Sequence, residues 1–442
     1  MRTTLIRSVL ASLVFLATLS LASLQSVRHG KLLRRQYSVA EQKKIAHLAK
    51  HEPADAAAAV LQMPRLNTKS AKSFASSKSG LSVSSKNEEM QLPWFEDGKF
   101  PYDKWPEVPA NDEGGWKAVP AGFNGFQLKD DLVLSSSESN VEAVQPYYIT
   151  SDYTANNVKR AIIVLPGVPR DSWKYATEMK NVMDWVTHNR FYGVEKGNVI
   201  IIAPLILTQD DQKAGGVVQN NWAVYRNSNW EFGGETQSPN LRHNVSFYTV
   251  MDNLIEKLLD HKQFPSMKNV VVAGHSMGGK ATMRYALLRH KQKHEDKLKF
   301  WIANPGSWTW LSPQRPVGYK NCKSTFNDWP YGLNGSKLPK YARNTDTSEH
   351  VDVNNIIQDF RSRDVHYALG LLDNDEGDTH CQSHAQGHNH LERGSYFVQM
   401  LSKSSQGFPE SHSLSYISGV AHQDYPMFGA SASIDYLFGK DF

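Results

Sequence analysis

Beyond residue 130 the chain alternates between two kinds of apolar pattern. Short blocks at 131–134, 147–149, 160–165, 198–203, 269–273, 299–303, 365–372 and 414–420 are continuous or β-branched and predict strands. Stretches with apolar positions three and four apart, at 173–188, 246–262 and 280–290, predict helices. Continuous β-branched runs separated by helices indicate an α/β fold, a mainly parallel sheet covered on both faces. No internal repeat interrupts the alternation.

The first 92 residues follow other rules. Arg2 and Arg7 precede an uncharged run rich in Leu, Val and Ala that ends in small residues at Ala22 and Ser23, so residues 1–23 are expected to be a secretory signal peptide. Residues 24–92 are expected to form a basic, Ser- and Lys-rich arm or propeptide, flexible at 70–86, with Arg34-Arg35 as a dibasic processing candidate. Within it, Ser38 and Glu41 form a capping box ahead of Ile45 and Leu48, Pro53 stops that helix, and a second Ala-rich helix follows. All 11 tryptophans lie from Trp94 onward, which places the folded domain at 93–442.

Composition narrows the classes. At 442 residues with 40% hydrophobic and 21% charged positions, the chain is globular rather than disordered or polytopic. Its net charge of +5 sits in the N-terminal segments, since beyond residue 92 there are 35 Lys and Arg against 39 Asp and Glu. An acidic remainder without a basic aromatic strip argues against a nucleic-acid groove. No later stretch is long and apolar enough for stable membrane insertion of the mature chain.

The chemistry concentrates in Gly274-His275-Ser276-Met277-Gly278-Gly279, a G-x-S-x-G match between the strand at 269–273 and the helix at 280–290. Such a strand-turn-helix setting presents Ser276 above the sheet as a nucleophile. A serine hydroxyl needs a histidine to take its proton and a carboxylate to hold that histidine, in the chain order Ser, Asp, His. His422 follows the strand at 414–420 and is the expected base. Asp373 closes the strand at 365–372 and is the expected acid, with Asp375 as the alternative and Asp378 as a more distant one. The strand before it ends in Asn304-Pro305, without a carboxylate. The expected oxyanion donors are the amides of Met277 and Val168, since Pro169 has no N–H.

Other features compete for a role. His380, His384, His388 and His390 crowd the segment after Asp373, but no HExxH or EF-hand pattern is present, so no metal site is expected and a solvent-exposed loop is the better reading. The insertion at about 305–350 carries Trp310, Tyr319, Phe326, Trp329 and Tyr331, which either cap an acyl pocket or pack on one another. Asn244 and Asn334 begin N-glycosylation sequons. Cys322 and Cys381 are the only cysteines, and in an oxidising compartment they are expected to pair.

These pieces resemble a secreted α/β-hydrolase family of fungal and bacterial type with a G-H-S-x-G-G elbow. The likeness runs from Leu165-Pro-Gly-Val-Pro-Arg-Asp171 and Ala203-Pro204 through Trp222, Trp230, 272–279 and Arg284-Tyr285-Ala286. It continues with Ala303-Asn-Pro-Gly-Ser-Trp308, Trp329-Pro-Tyr-Gly332, Gln386-Gly387, Arg393-Gly394 and Gly419-Val-Ala-His422. The resemblance implies an α/β-hydrolase fold and the triad Ser276, Asp373 and His422. Pro166 stands where such enzymes usually carry histidine. The expectation is a secreted serine hydrolase acting on a small-molecule or polymeric carboxylic ester, with no cofactor. A peptidase or amidase on the same triad, and an inactive secreted binding protein on this scaffold, are the alternatives.

Overall fold

The computed structural model describes residues 38–63, 103–111, 114–134, 142–241, 243–343 and 351–442. The expected signal peptide, the Arg34-Arg35 pair and the linker at 70–86 lie outside the described residues. Ser38–Phe442 forms one compact unit, and all that follows concerns it.

Its centre is a nine-stranded sheet. In chain order the strands are β1 (Gly122–Phe123), β2 (Phe126–Val133), β3 (Val144–Thr150), β4 (Arg160–Leu165), β5 (Val199–Pro204), β6 (Asn269–His275), β7 (Leu298–Ala303), β8 (Asp364–Gly370) and β9 (His412–Ile417). Across the sheet they run β1-β2-β3-β5-β4-β6-β7-β8-β9. The first three and the β3–β5 pair are antiparallel, and every pair from β5 to β9 is parallel. The parallel strands β4, β5, β6 and β7 are buried along their whole length. This is why they read as unbroken runs such as Ala-Ile-Ile-Val-Leu rather than as alternations.

Helices α1 (Val39–Ala49), α2 (Pro53–Leu61), α3 (Ser172–His188), α4 (Phe247–Leu259), α5 (Met277–Leu288), α6 (Val353–Ser362) and α7 (His390–Ser402) cover the faces. The core accordingly forms two clusters, one containing Ile163, Val272 and Tyr285 and the other containing Val164, Val271 and Trp301. Successive residues of a strand contribute to opposite clusters, the period of two made visible. The strand order, with its reversal at β5-β4 and the elbow after β6, is that of the α/β-hydrolase fold. Among the described residues no helix is long and apolar enough to cross a membrane.

One expected boundary moves. The folded unit begins at Ser38, not at residue 93, because α1 and α2 are part of the core. Ala56, Ala57 and Val60 of α2 are buried against α7, where alanine lets the two helices approach closely. On α1 the Gln42 side chain accepts the Gly419 N–H at 2.7 Å, three residues before His422. The Ser38–Glu41 capping box forms as the sequence predicts.

Candidate active site

The turn after β6 is built from what its residues lack. Ser276 sits at φ +58°, ψ −119°, a strained conformation for a residue with a side chain. A Cβ on Gly274 would stand 2.1 Å from the Gly278 carbonyl oxygen, and one on Gly278 would stand 2.3 Å from that of Leu165. Only glycine lets the chain reverse this tightly between strand and helix. The Ser276 N–H donates to the Ala303 carbonyl of β7 at 3.0 Å, which pins the strained residue to the sheet.

Three loops bring three side chains to this point. His422 Nε2 lies 2.9 Å from Ser276 Oγ, and His422 Nδ1 lies 2.7 Å from Asp373 Oδ2. Asp373 is an ionised acceptor, so His422 carries its proton on Nδ1 and turns a lone pair toward the serine. Burial works against charge on both groups. The imidazoles of His390 and His422 outweigh it at Asp373 and hold that carboxyl well below the ordinary range. At His422, burial is in turn outweighed by Asp373, with smaller help from Asp424 and Asp375, and the imidazole lies above its usual 6.5. The loop bearing His422 is tied down by Asn304, whose Nδ2 donates to the Ala421 carbonyl at 3.2 Å while its Oδ1 accepts the Gly370 N–H at 2.9 Å.

Asp375 makes no bond to His422; its backbone carbonyl accepts the His390 N–H at 3.1 Å, and the residue borders the cleft. Asp378 is taken up by Ser307 at 2.9 Å and Tyr331 at 3.1 Å. Val168 and Met277 both border the cleft beside Ser276, where Val168 is 64% exposed. Met277 opens α5, so its N–H belongs to the first turn, where helix amides have no intrahelical acceptor.

The cleft has a volume of about 990 Å³, and its wall mixes apolar side chains such as Val168, Phe232 and Met277 with charged ones. Glu231 pairs with Lys280 at 2.9 Å, and Asp424 pairs with Lys174 at 2.6 Å. Of the five aromatics proposed as a cap, Tyr331 reaches the cleft. Tyr319 and Phe326 stack on each other at 4.0 Å, Trp310 packs on Phe397, and the Trp329 indole donates to the Phe232 carbonyl at 2.9 Å. Tyr319 and Phe326 thus pack within the insertion, whereas Trp310 and Trp329 tie it to the body of the domain.

His390 departs from expectation. The sequence places it in an exposed loop, and His380 and His388 are exposed, but the His390 side chain is 5% exposed and its Nδ1 lies 3.1 Å from Asp373 Oδ1. Its ring stacks on that of His422 with centroids 4.2 Å apart. The reason is that His390 opens α7, whose docking on the sheet buries its first turn. A helix start was legible in Asn389, which caps the Glu392 N–H at 2.8 Å. His275, inside the elbow, joins the same cluster without any signal in the motif. It lies 4.6 Å from the His422 ring on centroids and places Nδ1 2.7 Å from Asp424. Asp373, His390 and His422 are the one trio among the described residues close enough to share a metal ion. Asp373 Oδ2 already faces His422 Nδ1, Asp373 Oδ1 lies against His390 Nδ1, and His422 Nε2 faces Ser276, so an ion would have to displace these contacts.

Cys322 and Cys381 form a disulfide with Cα atoms 5.8 Å apart, joining the insertion to the segment after Asp373. Asn244 is exposed, whereas Asn334 is half-buried and its amide nitrogen donates to Asp328 at 2.7 Å.

No family model matches the chain, and no curated protein matches it. Among solved structures it is similar to LpqC, a poly(3-hydroxybutyrate) depolymerase from Bordetella parapertussis, at 17% identity and a TM-score of 0.45, over 68% of this chain and 87% of that one. It is also similar to poly(aspartic acid) hydrolase-1 from Sphingomonas sp. KT-1, at 15% identity and a TM-score of 0.42, over 67% and 94%. The siderophore hydrolase EstB from Aspergillus nidulans follows at 11% and 0.39, over 73% and 99%.

Proposed function

We propose that this chain is a serine hydrolase that cleaves a carboxylic ester through an acyl-enzyme, outside the cell or in a secretory compartment. The observation that carries the reading is the line of contacts from Ser276 Oγ to His422 Nε2 at 2.9 Å and from His422 Nδ1 to Asp373 at 2.7 Å, with the serine on a strained elbow. In this reading Ser276 Oγ attacks the ester carbonyl carbon as its proton passes to His422 Nε2. The carbonyl becomes an oxyanion facing the Met277 and Val168 amides. Collapse expels the alcohol, which leaves with the proton from His422, and the acyl group stays on Ser276. Water then repeats the sequence, giving the acid and free serine. Asp373 holds the Nδ1 proton and stabilises the imidazolium at each stage.

Charged side chains along the cleft, among them Glu231, Lys280, Asp375 and Asp424, support a substrate that carries polar groups near the ester. The disulfide supports an oxidising compartment, and exposed Asn244 is the better placed of the two sequons for a glycan. No cofactor enters any step. The test is hydrolysis of p-nitrophenyl acetate against p-nitroacetanilide by the wild type and by Ser276→Ala. Turnover of the ester, little of the anilide and none with the variant is expected; preference for the anilide would turn the reading to an amidase.

A further inference from the structure

Asp373 has two carboxylate oxygens, and the triad uses one. The other, Oδ1, is buried, and the polar atom set against it is His390 Nδ1, at 3.1 Å. That Nδ1 is buried as well. The line between them is oblique for a hydrogen bond, and neither atom has a hydrogen bond elsewhere. Two buried polar atoms without other recourse are costly apart, so each holds the other in place. The His390 ring also lies against the His422 ring, at 4.2 Å between centroids and 27° between planes. A single imidazole thus touches both the acid and the base.

We propose that His390 is a positioning residue of this site, which fixes the Asp373 carboxylate through Oδ1 and covers a face of His422, and thereby sets the pH at which His422 accepts the serine proton. The inference rests on the serine-hydrolase reading. His390 is itself anchored: its N–H donates to the Asp375 carbonyl, and the neighbouring Leu391 N–H donates to that of Asp373, both at 3.1 Å. One turn on, Arg393 donates to the Gly387 carbonyl at 3.0 Å and the Gly306 carbonyl at 2.5 Å, fixing the helix start to the sheet edge.

The charge environment makes the direction of the effect definite. His390 faces Asp373 from the end of β8, His422 from the loop after β9, and Arg393 on its own helix. His422 in addition meets His275 of the elbow, Asp424 and Asp375. Burial lowers His390 more than Asp373 raises it, so the ring stays neutral and presents Nδ1–H to the acceptor-only carboxylate. Removing that N–H leaves Asp373 less satisfied and strengthens its hold on the proton of His422. The base should then protonate at higher pH.

The experiment measures the rate of Ser276 phosphonylation by a fluorophosphonate probe, and kcat and KM for p-nitrophenyl acetate, across pH 4.5 to 9. Proteins compared are the wild type, His390→Phe and His390→Asn, each checked for folding by circular dichroism. Phenylalanine keeps a stacking ring without the donor; asparagine returns an N–H near the Nδ1 position. His390→Phe is expected to move the acid limb up by about half a pH unit or more and to lower kcat roughly ten-fold at unchanged KM. His390→Asn is expected to return the limb to within a few tenths of a unit of wild type. An acid limb that stays put in His390→Phe, or one that moves equally in both variants, overturns the proposal while leaving the triad intact. Absence of any Ser276-dependent reaction in the wild type overturns the serine-hydrolase reading and this inference with it. Should His390→Phe not fold, the His390→Asn and wild-type limbs are compared with that of His390→Leu, which lacks both donor and ring and must shift upward.

Discussion

The elbow and the acid loop border the same cleft and are held in shape by opposite means. Around Ser276 the turn is written mostly in adjacent residues: a Cβ on Gly274 would meet the Gly278 carbonyl and the serine takes a positive φ, with Leu165 and Ala303 closing on it from the neighbouring strands. The segment from Asp373 to His390 is held by distant partners. Gln386 brackets the Trp308 backbone with bonds of 2.8 and 2.7 Å, Arg393 reaches Gly306, and Cys381 is bonded to Cys322, 59 positions away. A locally dictated turn is recorded in its own letters, while a loop held by tertiary contacts is recorded across the whole chain.

The contrast predicts how each region fails. Ser276→Ala should lower kcat by about 10⁵- to 10⁶-fold with the fold intact, because it removes the bond-forming atom and nothing else. Asp373→Asn should cost about 10⁴-fold by favouring the wrong tautomer of His422. Asp375→Asn, whose side chain does not touch that ring, should cost less than ten-fold. The reverse ranking, measured as kcat on one ester, would transfer the acid role. Because Asp373 outweighs burial at His422, the wild-type acid limb of kcat/KM should lie above pH 6.5. Activity is lost as pH falls through that value, since the imidazolium cannot accept the serine proton. In Asp373→Asn the limb should move below it.

Breaking the long-range supports should be milder for the chemistry and harder on stability. Replacing Cys322 and Cys381 with serine opens a loop with a sequence separation of 59. The chain-entropy model puts the loss at about 4 kcal/mol, read by urea unfolding, with kcat reduced only a few-fold at temperatures where the variant stays folded. The smallest effect expected is from Gln42→Ala. Losing the acceptor of the Gly419 N–H should cost about 1 to 2 kcal/mol. An unchanged denaturation midpoint would mean that α1 does not brace the His422 loop.

The same contrast explains what could be read in advance. The parallel strands and the order of Ser276, Asp373 and His422 were legible because buried runs and strand ends carry their own signature. The start of α7 carried a signal in its Asn389 cap, but the helix was masked further on by Gly394, a helix-weakening residue present because a Cβ there would meet Leu369 side-chain atoms at 2.7 Å. With α7 unrecognised, His390 read as one more loop histidine. Helix α6 carried a usable signal in its Asp352 cap and the Ile356, Ile357 and Phe360 spacing. The place of α1 and α2 in the core was hidden by composition: alanines that pack closely against α7 look, without the partner, like a weakly apolar arm.

The central claim is that Ser276 is a nucleophile activated by His422. Its most direct test is to incubate the folded protein with a fluorophosphonate probe and map the modified peptide by mass spectrometry. A single adduct is expected on the peptide carrying Gly274 to Gly279, at Ser276, formed rapidly near pH 8 and lost in His422→Ala. No adduct on folded protein, or one on another residue, would contradict it.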